Sequence, residues 1–166
     1  SDLSSIKRVD RIVWAFQEMP DEKLILTYGK NDPEKNKIMN IVSAYSNISL
    51  RESPSDEELR ELIRGAKATI YIPVDEDFGM SPVESMACGT PVAAYPVDGP
   101  LEVLRPDETY PHARKGGVLE EDLAQASLKA LRIPRAEARA QALTFSWDEA
   151  TRLFETHLAP IPVAVD

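Results

Sequence analysis

The apolar positions of the chain alternate between two periods. In "VDRIVWAFQEM", Val9, Ile12, Val13 and Phe16 recur at spacings of three and four, the stripe of an amphipathic helix. "KLILTYG" follows as a short apolar run stopped by Gly29, which predicts a buried strand. "DPEKNKIMNIVSAYS" returns to the helical period, with Pro33 at its start and Ile38, Ile41, Val42 and Tyr45 on one face. "NISLRES" is a weaker strand. "SDEELRELIRGA" is a helix with Ser55 as N-cap and Glu58 three residues on, the spacing of a capping box. "ATIYIPV" predicts a strong, central, buried strand. "SPVESMACG" is a short helix closed by Gly89, "PVAAYPV" another buried strand, and "GPLEVL" opens a short helix.

Beyond Asp107 the pattern weakens. "ETYPHARKGG" reads as a loop or a short strand, and "EEDLAQASLKALR" and "PRAEARAQAL" as helices. "SWDEATRLFETHLA" is a last helix, with Ser146 as N-cap and Glu149 three residues on, and "PIPVAVD" is a loose tail. Trp147, Phe154 and Leu158 are large apolar groups near the end of the chain. Ordinary core packing is the expectation for Phe154. The alternative is a terminal helix whose exposed patch mediates a weak homodimer.

Strands separated by helices require crossover connections, so the fold class is α/β: a doubly wound parallel sheet, Rossmann-like. Residues 1–131 form its core, and residues 132–166 are C-terminal helices and tail. No repeat and no low-complexity linker interrupts the single domain. Such sheets bind ligands beyond the carboxyl ends of their strands. "YGKND", "DEDFG" and "YPVDG" fall at those ends.

Composition narrows the possibilities. With 43% apolar residues in a chain of 166, a sizeable core can be buried. The net charge of -9 argues against a nucleic-acid module, which shows a basic face. Cys88 is the one cysteine, so no internal disulfide forms and a reducing compartment fits. No long apolar run or leader pattern is present, so a cytoplasmic location is expected. His112 and His157 have no partners at metal-ligand spacing, and no metal or cofactor is expected.

The candidate chemistry lies in "DEDFGMSPVESMACGTPV", residues 75–92. Taken alone, Glu84 reads as a capping-box glutamate, with Ser81 as N-cap and Pro82 at the first helical position, and Glu76 reads as an exposed loop carboxylate. The context changes this. The stretch follows a strand, Gly79 can take a positive φ and admit a ligand close to the backbone, and the free amides of a helix start favour an anion. A carboxylate on each side of the turn could accept hydrogen bonds from sugar hydroxyls.

The same segment resembles the signature of family-4 glycosyltransferases: two glutamates separated by seven residues, Phe-Gly between them and Gly-x-Pro-Val after. Glu76, Phe78, Gly79, Glu84, Gly89, Pro91 and Val92 match it. "KRVDRIVWAF" resembles the family's lysine-bearing segment, "SDEELRELI" the helix after its nucleobase loop, and "DGPLEVL" its Gly-Gly-x-x-Glu turn. The resemblance covers residues 1–105, and the rest only by helical pattern. It implies a GT-B fold and a metal-independent, retaining hexosyltransferase that uses a nucleotide-diphosphate sugar as substrate. This chain would be the C-terminal, donor-binding domain. The N-terminal acceptor-binding domain would lie outside it, and the isolated domain would have little or no transfer activity. The full-length enzyme could then sit peripherally at the membrane.

The resemblance also implies roles. Glu76 would contact the transferred sugar, and Glu84 would hold the ribose hydroxyls. Amides around Phe78, Gly79, Met80 and Ser81 would face the sugar and diphosphate. Lys7 would neutralise the diphosphate, with Arg8 the lesser candidate; Lys7 and Glu76 would be catalytic. Backbone near Glu52, Ser53 and Pro54 would meet the nucleobase, and Gly29 would let the chain bend beside the donor. Cys88 is read as packing rather than as a nucleophile. Asp2 stands where the family carries an arginine, and Glu52 and Asp98 stand where it carries glycines. Asp2 and the expected absence of the other half favour a second reading, a degenerate, non-catalytic GT-B module acting as a structural or interaction partner. The intact Glu76 and Glu84 disfavour it.

Overall fold

The computed structural model of the chain describes residues 8–104 and 116–158. Helix α1 (Val9–Ala15) buries Val9, Ile12 and Val13, the stripe its sequence predicts, and runs into a 3-10 turn, Phe16–Glu18. Strand β1 (Leu24–Tyr28) crosses over through α2 (Lys35–Val42) to pair in parallel with β2 (Ile48–Glu52), in register Leu24 with Ile48 through Tyr28 with Glu52. Asn47 secures the entry to β1: its amide donates to the carbonyls of Phe16, Met19 and Glu22. Helix α3 (Asp56–Gly65) starts on the predicted capping box. The Ser55 hydroxyl accepts from the Glu58 amide at 3.2 Å and the Glu58 carboxylate accepts from the Ser55 amide at 2.7 Å. Hydrogen bonds to Ser55 hold the Glu58 carboxyl below its ordinary pKa.

The second half builds a three-stranded parallel sheet in the order β3 (Thr69–Tyr71), β4 (Val92–Ala94), β5 (Gly117–Leu119). Helix α4 (Met80–Ala87) connects β3 to β4, and α5 (Asp98–Leu104) follows β4. Then come α6 (Leu123–Ala130), α7 (Arg135–Ala142) and α8 (Trp147–Thr156). The fold is the expected α/β arrangement of parallel strands and crossover helices. Val13, Met86, Val92 and Val103 are fully buried, and they anchor the core on both sides of the chain's midpoint.

Three expectations are corrected. "KLILTYG" is not buried on both faces: Leu24, Leu26 and Tyr28 point inward while Ile25 is 46% exposed, the alternation of a strand with one solvated face. The central strand of the three is β4, whose residues are all 0% exposed, whereas the β3 residues are only half-buried. Strand β3 also stops early, because Pro73 has no N–H to donate to a ladder. Phe154 is not in the core. It is 66% exposed, Trp147 is 82% exposed, and α8 buries no residue. Strand β5 lies at the end of the segment read as loop or short strand; the rest of that segment falls outside the described residues. No helix among the described residues is long and apolar enough to cross a membrane.

Helix α4 is clamped at its carboxyl end. Gly89 takes a φ of 75°, its amide donates to the Met86 carbonyl, and the Thr90 amide donates to the Ser85 carbonyl, the two bonds of a Schellman motif. The Arg135 guanidinium donates to the carbonyls of Cys88, Ala66 and Arg64 and to the Thr90 hydroxyl, so it closes the ends of α3 and α4 together. Arg139 donates to the Ala87 carbonyl. Gly89 has a second constraint, since a Cβ there would lie 3.3 Å from the Arg135 carbonyl oxygen.

Candidate functional site

The parallel strands bring several loops to their carboxyl ends. Strand β1 ends at Tyr28, β2 at Glu52, β3 at Tyr71 and β4 at Ala94. Three non-glycine residues that follow these strands have left-handed backbones: Ser53 (φ 43°) and Asp75 (φ 53°) in loops, and Asp98 (φ 47°), the first residue of α5. Aspartate tolerates this region better than most residues, so Asp98 keeps a glycine-like conformation without being glycine. Ser53 is the more unusual, because a residue before proline is ordinarily extended. Its amide donates to the Tyr28 carbonyl at 2.7 Å, which ties the β2 loop to the end of β1.

Two of these loops form one wall. The Gly99 amide donates to the Glu76 carbonyl at 2.8 Å, and a Cβ on Gly99 would lie 2.5 Å from the Phe78 carbonyl oxygen. The loop after β3 and the start of α5 therefore touch backbone to backbone. Between them lies an open pocket of about 490 Å³, lined by Asp75, Glu76, Asp77, Asp98, Leu101 and Glu102. Five of its six lining residues carry a carboxylate, a group that repels anions and accepts hydrogen bonds from hydroxyl groups. The carboxylates are spread around the wall. Among the described residues, no three His, Cys, Asp or Glu side chains converge closely enough to hold a metal ion.

At the edge of this pocket α4 begins. Its N-cap is Gly79, with φ 86°, and no side chain caps it. This corrects the reading of Ser81 as cap: the helix starts two residues earlier, Ser81 lies inside its first turn, and Glu84 is too far along to close a capping box. Pro82 carries no amide hydrogen, so the uncapped donors of the first turn are the amides of Gly79, Met80 and Ser81. Met80 is 55% exposed and leaves this end of the helix open to solvent. Glu84 is exposed on the same helix and does not line the pocket.

Other predicted positions divide. The Phe78 ring turns inward and meets Phe145 edge-on at 5.7 Å, so only its backbone belongs to the site. Gly29 is under no glycine constraint: its φ is not positive, and a Cβ would meet nothing within 4 Å. Arg8 is placed at the strand ends, its guanidinium 5.6 Å from the centroid of the Tyr95 ring just after β4. Lys7, Asp2 and His112 lie outside the described residues. Beside Ser53 and Pro54, the Glu52 carboxylate accepts from Lys35 and from the Tyr28 hydroxyl. The Lys35 ammonium lies 5.2 Å from the centre of the Tyr28 ring. The bond from Lys35, then that from Tyr28, holds the Glu52 carboxyl below its ordinary pKa, and Glu52 raises that of Lys35.

Sequence reasoning missed Tyr71. It is half-buried at the end of β3, and its hydroxyl donates to the Glu76 carboxylate. Burial first, and Glu76 second, push its phenol above the ordinary range. The signal was a single phenol in the mostly apolar run "ATIYIP".

The family described as "Glycosyl transferases group 1" matches residues 2–142. The alpha-1,3/1,6-mannosyltransferase ALG2 of Rhizomucor pusillus is 38% identical over 55 residues, 33% of this chain and 12% of that protein. Sucrose-phosphate synthase from Thermosynechococcus elongatus superposes with a TM-score of 0.71 at 23% identity, over 94% of this chain and 43% of that one. The pneumococcal O-GlcNAc transferase GtfA, solved with UDP and GlcNAc, gives 0.67 at 17% identity, over 94% of this chain and 33% of that one. At these identities the superpositions show the GT-B fold. The chain spans less than half the length of each of these proteins.

Proposed function

The chain belongs to the glycosyl transferases group 1 family, and from that premise we propose that it is the donor-binding half of a glycosyltransferase that uses a nucleotide-diphosphate sugar. The observation that carries the proposal is the adjacency, at the carboxyl ends of β3 and β4, of a carboxylate-lined pocket and an uncapped helix N-terminus. The two halves of such a donor have opposite needs. The sugar is neutral and rich in hydroxyls, which suits the wall containing Glu76, Asp98 and Glu102. The diphosphate is anionic, which suits the free amides of Met80 and Ser81 and the positive end of the α4 dipole. Arg8, and Lys7 beside it in the sequence, would add positive charge on the diphosphate side. The acidic pocket keeps the diphosphate out of the sugar's place and so orients the ligand.

In this reading transfer is helped by stabilising negative charge on the departing diphosphate, through donors fixed before the ligand arrives. Glu76 meets the transferred sugar, Glu84 the ribose, and the backbone of Ser53 and Pro54 the nucleobase. The product retains the configuration of the donor. The acceptor binds to a second domain outside this chain, so the chain alone binds donor and transfers little.

Isothermal titration of the folded chain with uridine and guanosine diphosphate sugars tests this. Saturable heat below millimolar ligand is the expected result. Folded protein that gives no heat with either class at millimolar concentration would remove the donor-binding role.

A further inference from the structure

The position of Tyr71 explains two features that the site description leaves separate. Gly79 has a left-handed φ of 86°, and a Cβ built on it would lie 2.7 Å from the Tyr71 hydroxyl, 2.9 Å from Cε1 and 3.0 Å from Cζ. The space a side chain would need at this turn is already filled by the phenol. The same hydroxyl donates to Glu76, three residues before Gly79 and on the pocket wall. Tyr71 itself is set by its strand, since it pairs in register with Ala94 in the fully buried β4.

We propose that Tyr71 is the positioning residue for Glu76: its hydroxyl holds one carboxylate oxygen against the strand end and turns the carboxylate toward the pocket, and position 79 is glycine so that the phenol can lie there. This rests on the reading of Glu76 as the sugar-contacting carboxylate. A loop carboxylate without such a donor samples several rotamers, and ordering it on binding costs part of the affinity. A phenol serves better than a charged donor in this place. It gives a charge-assisted bond to the carboxylate without neutralising it, so Glu76 stays anionic and keeps lone pairs for the ligand. The elevated phenol pKa agrees, because a proton shared with a carboxylate is hard to remove.

The proposal limits the effect of Tyr71 to one part of the ligand. Tyr71→Phe keeps the ring over Gly79 and removes only the bond to Glu76. Titrations of wild type and Y71F with UDP-glucose and GDP-mannose, and with UDP and GDP, separate the cases. For the nucleotide sugar that binds, Y71F should weaken affinity roughly three- to tenfold, the loss of one charge-assisted hydrogen bond's orienting effect. Affinity for the parent diphosphate should stay unchanged, since Glu76 does not reach it. Equal affinity of both proteins for the nucleotide sugar, or an equal loss for nucleotide sugar and diphosphate, would overturn the positioning role. If wild type binds none of these ligands, the donor reading falls, and an absorbance titration then decides the Tyr71–Glu76 pairing by itself. The wild-type minus Y71F difference should show no phenolate near pH 10, and in Glu76→Gln its onset should move to lower pH while burial still holds it above that of a free phenol. A Tyr71 that ionises normally in wild type, or does not respond to E76Q, overturns it.

Discussion

Gly99 and Glu76 are joined through their backbones: the amide of one donates to the carbonyl of the other at 2.8 Å, and this contact fixes the distance between the two loops that form the pocket. The approach leaves no room for a side chain, since a Cβ on Gly99 would fall 2.5 Å from one backbone oxygen and 2.8 Å from another. Gly99→Ala must therefore push the loops apart. Chemical denaturation should show a loss of about 1–3 kcal/mol, the usual cost of overpacking. Any donor heat should fall by more than the fraction unfolded explains.

The two Ser-x-x-Glu stretches at Ser55 and Ser81 look alike in sequence and differ in structure. Ser55 caps α3 with both bonds of the capping box, whereas Ser81 lies inside the first turn of α4 and caps nothing. Ser55→Ala should cost about 1 kcal/mol of stability, and Ser81→Ala no more than a few tenths. Paired thermal melts distinguish them, and an equal loss would restore the cap to Ser81.

Arg135 closes two helix ends with one planar group, donating to Arg64, Ala66 and Cys88 carbonyls and the Thr90 hydroxyl. Truncation in Arg135→Ala leaves these acceptors without their donor and should destabilise the chain by about 1–3 kcal/mol. Arg135→Lys should recover only part of this, because an ammonium cannot span the fork of acceptors. Urea midpoints of the two variants provide the measurement.

The raised phenol of Tyr71 predicts a slope in stability at alkaline pH. Free tyrosine loses its proton near pH 10, whereas Tyr71 holds it to higher pH in the folded chain because of its burial and Glu76. Above about pH 10 the folded state thus binds a proton that the unfolded state has released, and stability falls as pH rises. Below that value the contribution is fully present and flat. Y71F should remove this part of the slope between pH 10 and 11, read as the change in melting temperature with pH against wild type.

Local rules recovered most of the fold. The period of α1, the capping box at Ser55, the Ser146 cap on α8 and the Gly89 stop on α4 each depend on residues within a few positions of one another. What failed depended on contacts across the chain. Whether β3 or β4 is central is decided by which strand receives β5, and the weak pattern around "KGGVL" hid that strand. Phe154 has the spacing of a core residue, yet no partner surface meets it among the described residues. At the pocket, the left-handed turn at Gly79 was legible in the sequence, and of the two signature glutamates the structure places Glu76 on the pocket wall and Glu84 away from it. Tyr71 could not be read, because only the folded turn brings its hydroxyl back to Glu76. The sequence also suggested that Gly79 makes room for a ligand, whereas the space beside it holds Tyr71.

Helix α4 has one finished end and one unfinished end. Its carboxyl terminus is fastened by the Schellman turn at Gly89 and by two arginines of α7. Its amino terminus has no side-chain cap, and Pro82 thins its donors further. The helix is in effect a cantilever: its root is fixed at the opposite end, so its tip can stay chemically unsaturated without being loose. A group arriving at that tip finds its hydrogen-bond donors already aimed, and the cost of aiming them was met when the chain folded.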